Sequence, residues 1–182
     1  AVSADDRPSV ALRQGRNTSM RVSINDVRDG EAAGVVSAGN TGALMAMSKF
    51  VLKTMPGIDR PAIASFFPTL RSESVMLDLG ANVQCDADNL VQFAVMGNVF
   101  ARTVRGVREP SMGLLNVGSE ELKGHDAVKV ASGILRQATL PGKFYGFVEG
   151  DDITRGTVDV IVTDGFTGNV ALKSIEGTVK LY

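Results

Sequence analysis

Apolar runs rich in β-branched residues recur along the chain at 34–38, 62–67, 74–79, 112–117, 144–148 and 158–163, with Gly, Pro or Asn at or near the end of each. Between most of them the apolar positions switch to a helical period, at 19–28, 43–53, 89–104 and 126–137. Strands alternating with helices predict an α/β fold, with a mainly parallel sheet covered by helices on both faces. The runs at 62–67 and 74–79 are separated only by residues 68–73, too few for a crossover helix, so an antiparallel neighbour at a sheet edge is expected there. Residues 90–100 are apolar nearly all round, as in a core helix. Residues 169–182 read as the opening turns of a further helix without a stop signal, and the first nine residues lack a strand that could centre a sheet. The chain is therefore expected to be the central part, 1–182, of one longer α/β domain.

Composition narrows the chemistry. With 182 residues the chain can bury one sizeable core or build two small lobes. Nineteen basic and 20 acidic residues leave a net charge of −1, which predicts no bulk attraction to nucleic acid or anionic lipid. Arg102, Arg105 and Arg108 form the one basic cluster, read as a solvated helix end. A single cysteine, Cys85, suits a reducing compartment, no run approaches bilayer length, and no signal-like pattern opens the chain, so a cytoplasmic protein is expected. His125 is the one histidine and sits in a polar stretch where exposure is expected. A Cys85–His125 dyad is disfavoured by Asp86 and Asp88 beside the thiol.

The 20 glycines gather just after the predicted strands, at Gly39, Gly42, Gly80, Gly118, Gly150, Gly165 and Gly168. Ligands of open α/β sheets bind beyond the carboxyl ends of the strands, so these turns mark the functional edge. Two of them match residue for residue: Val36-Ser37-Ala38-Gly39-Asn40-Thr41-Gly42 and Val162-Thr163-Asp164-Gly165-Phe166-Thr167-Gly168. Glycine allows close backbone approach, and the threonine can cap a helix or offer its hydroxyl beside free N–H groups; together these bind anions. Neither turn is a Walker A loop or a dinucleotide fingerprint. Asp78-Leu79-Gly80-Ala81-Asn82 sets a carboxylate and an amide around a third glycine, and Asn116 to Gly124 makes a fourth turn. Glu149, Asp151 and Asp152 are read as a solvated loop with a helix cap rather than a metal site.

Taken together these stretches resemble the PlsX family, the phosphate acyltransferases of bacterial phospholipid synthesis. The blocks Ser37-Ala38-Gly39-Asn40-Thr41-Gly42 and Asp164-Gly165-Phe166-Thr167-Gly168-Asn169 carry most of the likeness, which runs in order through the whole chain. The resemblance implies that acyl-[acyl-carrier-protein] and inorganic phosphate give acyl phosphate and free carrier protein. It also implies a Rossmann-like architecture related to isopropylmalate dehydrogenases and phosphotransacetylases, usually a homodimer, cytoplasmic and peripheral to the membrane, with no NAD or other cofactor and no metal. The family's opening strand and its later long helices have no counterpart here. Phosphate is already anionic, so it needs capture and aim more than a strong base. On this basis Ser37, Gly39, Asn40, Thr41, Gly42, Gly165, Thr167 and Gly168 are expected to hold phosphate and substrate. Gly80 belongs to the same phosphate- and substrate-binding set; Asp78, Asn82 and Asp164 would orient the donors, and Asn169 and Lys173 would meet the developing oxyanion. The rival readings are a phosphotransacetylase-like enzyme acting on acyl-CoA, a metal-dependent dehydrogenase with Asp151 and Asp152 as ligands, and a non-catalytic scaffold at the membrane.

Overall fold

The computed structural model describes residues 2–3 and 5–181, so Ala1, Ala4 and Tyr182, which fall in the two expected cut ends, lie outside it. The chain divides into two compact units, Ala1–Pro61 and Ala62–Tyr182.

The first unit is helical. Helices α1 (Pro8–Gln14), α2 (Ser19–Arg28) and α3 (Thr41–Leu52) close on Ala11, Met20, Ile24, Ala43, Met47 and Val51. Pro8 opens α1 at a position whose N–H is spare, and the Thr18 hydroxyl caps α2 by accepting from the Arg21 N–H. No helix was expected at 8–14, because two turns are too short to display a period. The strand expected at 34–38 is a correction in the other direction. Residues 34–38 have no ladder hydrogen bond among the described residues, and Val36 is fully exposed. A strand exists through its neighbour's backbone, and β-branched composition alone does not supply one.

The second unit is a five-stranded sheet built from β1 (Ala64–Pro68), β2 (Glu73–Leu77), β3 (Ser111–Leu115), β4 (Lys143–Val148) and β5 (Val160–Val162). Its order is β1-β2-β5-β3-β4. All pairs are parallel except β1–β2, where Ala64 faces Leu77 and Pro68 faces Glu73 across the short turn. Both the parallel sheet and its antiparallel edge were expected, and Pro68 is tolerated because β1 is an edge strand. Period-two alternation splits the strands between two cores. Val75, Leu77, Met112, Leu114, Val160 and Val162 face α4 (Ala87–Arg105) and α5 (Asp126–Gln137). Met76, Val148 and Ile161 turn the other way, toward α6 (Gly150–Arg155) and α7 (Gly165–Val179). Gly97 lets α4 lie directly on the sheet: a Cβ there would stand 2.5 Å from Val160 Cγ1 and 2.8 Å from a Leu77 methyl.

The expected loop at 149–152 is in fact the start of α6. Asp152 accepts from the Glu149 N–H at 2.8 Å and from the Thr157 hydroxyl at 2.6 Å, while Asp151 pairs with Arg155. The helix cap expected at these carboxylates is present, and only the extent of the loop differs, since α6 starts at Gly150. Among the described residues no helix is long and apolar enough to cross a membrane.

Candidate functional site

The two matching turns differ once folded. In the first unit Asn40 is the N-cap of α3: its side-chain oxygen accepts from the Ala43 N–H at 2.9 Å, and its amide donates to the carbonyls of Ser3 and Asp6 at 3.2 and 3.0 Å. In the second unit Asp164 caps α7, accepting from the Thr167 N–H at 2.9 Å and the Thr167 hydroxyl at 2.8 Å. The caps stand at different places in the shared pattern, so α7 begins two residues earlier than α3 relative to it. The residue-for-residue match in sequence is therefore not a match in helical register. Neither threonine is the cap; Thr41 is the first residue of α3 and Thr167 the third of α7.

Donor supply differs accordingly. The N–H groups of Thr41 and Gly42 have no partner among the described residues, and neither has the exposed Thr41 hydroxyl. Ser37 accepts from the Gly39 N–H at 3.1 Å and lines a cavity of about 380 Å³ with Ser19 and Ser23. At α7 the Gly165 N–H goes to the Asn82 carbonyl at 2.7 Å and the Thr167 N–H to Asp164, which leaves the Phe166 N–H. A carboxylate already occupies the place where an anion would sit on that helix. In this arrangement the Thr167 hydroxyl and N–H are both engaged by Asp164.

The glycines have structural work. A Cβ on Gly168 would run into the Asp78 carbonyl oxygen, and one on Gly165 would stand 2.7 Å from the Asn82 carbonyl oxygen. They allow α7 to seat closely on the 78–82 loop. Gly42 has the same use against α1, where its Cβ would lie 2.8 Å from Pro8 Cγ. Asp78 is fully buried and its carboxylate is the hub of that loop. It accepts from the N–H groups of Ile63, Ala81 and Asn82 and from the Asn82 amide, at 2.6 to 3.1 Å. A buried carboxylate with four donors is satisfied and holds the loop in one form. Gly80 takes a positive φ of 119° there and lies beside the Asn169 side chain. Asn169 and Lys173 are exposed one turn apart on α7, and Lys173 pairs with Glu176 at 2.9 Å.

Beyond the carboxyl ends of β2, β5 and β3, the first turns of α4, α5 and α7 converge on a pocket of about 580 Å³. Asp164 and Thr167, both candidate site residues, line it. Val83, Gln84, Cys85, His125 and Phe166 also line it and were not expected to. Convergence of three helix starts is a tertiary event; the one available signal was that each residue directly follows or opens a turn after a strand. His125 is exposed, and Cys85 is half-buried with its sulfur 3.5 Å from the Asn82 carbonyl. Nearby, Asn116 ties the fourth turn by donating to the carbonyls of Gly118 and Lys123. The Glu120 carboxylate at 2.7 Å holds the Lys123 ammonium above its ordinary pKa, with Glu149 adding a smaller push in the same direction. Asp152 behaves differently. Burial pushes its carboxyl up, but the Glu149 N–H, the Thr157 hydroxyl and the Arg155 charge outweigh that and hold it below the usual value. Among the described residues no three His, Cys, Asp or Glu side chains come together as metal ligands.

A family model described as fatty acid synthesis protein matches residues 1–182. The chain is 72% identical, over all 182 residues, to a protein named phosphate acyltransferase from Rhodospirillum centenum, covering 51% of that relative. It is 66% identical to one of the same name from Paramagnetospirillum magneticum and 64% to one from Rhodospirillum rubrum, covering 52% of each. The chain thus spans about half the length of the curated relatives it matches. Among solved structures it is similar to the EutD phosphotransacetylase from Staphylococcus aureus, with a TM-score of 0.65 at 20% identity, over 93% of this chain and 63% of that one. At that identity the likeness speaks for the fold.

Proposed function

This chain belongs to the fatty acid synthesis protein family, and we propose that the full-length protein moves an acyl group from acyl-[acyl-carrier-protein] to inorganic phosphate, supplying acyl phosphate to phospholipid synthesis. A phosphate oxygen attacks the thioester carbonyl carbon, the tetrahedral oxyanion collapses, the carbon–sulfur bond breaks, and the carrier thiolate takes up a proton. The observation that carries the reading is the start of α3. Two unpartnered N–H groups, those of Thr41 and Gly42, and the Thr41 hydroxyl stand at the positive end of a helix whose cap, Asn40, is neutral. Phosphate is assigned to that turn, with Ser37 beside it.

Taken by itself, the second unit offers the Phe166 N–H, the Asn169 amide and the Lys173 ammonium as donors at the start of α7, with Lys173 paired to Glu176 at 2.9 Å. Asp164 holds Thr167 in place through two hydrogen bonds. Asp78 and Asn82 position this turn without touching substrate. The test is mass detection of acyl phosphate when the full-length protein meets phosphate and either acyl-carrier-protein or acyl-CoA. Product from the carrier thioester is expected. Product from acyl-CoA alone moves the assignment to a phosphotransacetylase-like enzyme, and none from either overturns the acyl-transfer reading.

A further inference from the structure

We propose that the pocket between the first turns of α4, α5 and α7 is the subsite for the hydrocarbon chain of the acyl group. The proposal rests on the acyl-transfer reading above. Depth sorts the lining by chemistry. Its buried floor is Leu90, and Ala127, Val128 and Cys85 are half-buried around it. The one half-buried charged group, Asp164, has both oxygens engaged by Thr167. The remaining polar members, Gln84, His125 and Thr167, are exposed. A polar occupant such as the amide-bearing arm of a carrier would need hydrogen-bond partners where the slot is deepest, and Leu90, Val128 and a thiol offer none of strength. An alkyl chain needs none.

The rim is consistent with the same occupant. Val83 and Phe166 are each 63% exposed, and they flank the polar α7 turn. Apolar side chains left in water at the mouth of an apolar slot are covered when a chain lies across them. Asp164 and Thr167 line the slot, so a tail in the pocket sets the carbonyl at the α7 turn.

Each buried methylene contributes about fourfold in affinity. With the full-length protein and a series of acyl-carrier-proteins from acetyl to palmitoyl, kcat/KM therefore rises with chain length until the slot is filled. Ala127→Phe occupies the slot, and the palmitoyl-to-acetyl ratio of kcat/KM is expected to fall on the order of tenfold. Phe166→Ser removes the rim and should lower the ratio severalfold; its exposed position keeps the test open if Ala127→Phe does not fold. Equal effects on all chain lengths would mean that the pocket holds the carrier's arm and would overturn the proposal, as would an unchanged ratio in both variants. If the wild-type protein makes no acyl phosphate at all, the reaction is what fails. The pocket is then decided by calorimetric Kd values for palmitoyl- and acetyl-carrier-protein in phosphate-free buffer: discrimination that the variants abolish supports the subsite, and equal Kd values overturn it.

Discussion

The helix starts at Asn40 and Asp164 carry the same short pattern, yet one leaves its donors open and the other closes on itself. An amide cap satisfies one N–H and adds no charge, so Thr41 and Gly42 still face solvent as donors. A carboxylate cap takes an N–H and a hydroxyl and brings a negative charge to the place an anion would occupy. On the proposed reading the charge of the cap separates the two turns, and the shared Gly-x-Thr-Gly is indifferent to it.

The two glycines that close the pattern give the sharpest contrast. Gly168→Ala drives a methyl into the backbone of Asp78, which four hydrogen bonds hold in place, and should cost about 3 kcal/mol in urea unfolding. Gly42→Ala crowds the ring edge of Pro8, which can shift with α1, and touches the Asn40 side-chain oxygen at an ordinary 3.5 Å, so it should cost about 1 kcal/mol. Equal losses would show that the two turns are packed alike. Exchanging the caps tests the electrostatics. Asn40→Asp adds a charge at the open turn and loses the amide bonds to Ser3 and Asp6, so the phosphate KM should rise at least about tenfold. Asp164→Asn keeps the bond from the Thr167 N–H but loses the acceptor for the Thr167 hydroxyl, and should cost about 1 kcal/mol.

Smaller effects separate the threonines. Thr41→Val should raise the phosphate KM on the order of fivefold by removing one hydroxyl donor, and Thr167→Val should leave it within about twofold because that hydroxyl is spent on Asp164. A matching rise in both variants would restore the symmetrical reading of the turns. A third helix start, α6, serves as the control without a ligand. Asp152→Asn is expected to cost about 1 kcal/mol at neutral pH. Because the carboxyl of Asp152 is held below its unfolded value of 3.8, its contribution is present above that pH and is lost as pH falls through the lower, folded pKa. Wild type and variant should therefore converge in acid. A gap that persists there would mean that shape, not charge, stabilises α6.

Much of the second unit was legible because its signals are local. The two cores follow directly from the alternation of Val75, Met76 and Leu77 and of Val160, Ile161 and Val162. The 68–73 link was too short to be anything but an antiparallel turn. What failed needed a partner to decide it. Residues 34–38 look like β2 in composition but have no neighbouring strand among the described residues. At the site, the turns could be found from glycine spacing, but the cap could not, since Asn40 and Asp164 occupy different slots of one pattern. The pocket was invisible for a related reason: Val83, His125 and Phe166 lie far apart in sequence and meet only because three strands end at one level.

The buried carboxylate of Asp78 binds the head of β1, its own loop and, through the carbonyl that Gly168 approaches, the base of α7. Three segments distant in sequence thus share a single joint. Changes at Asp78, Asn82 and Gly168 should be strongly non-additive, a second substitution costing much less once the first has loosened the joint. For anyone diversifying this scaffold, those positions form one unit of inheritance, to be altered together or left alone.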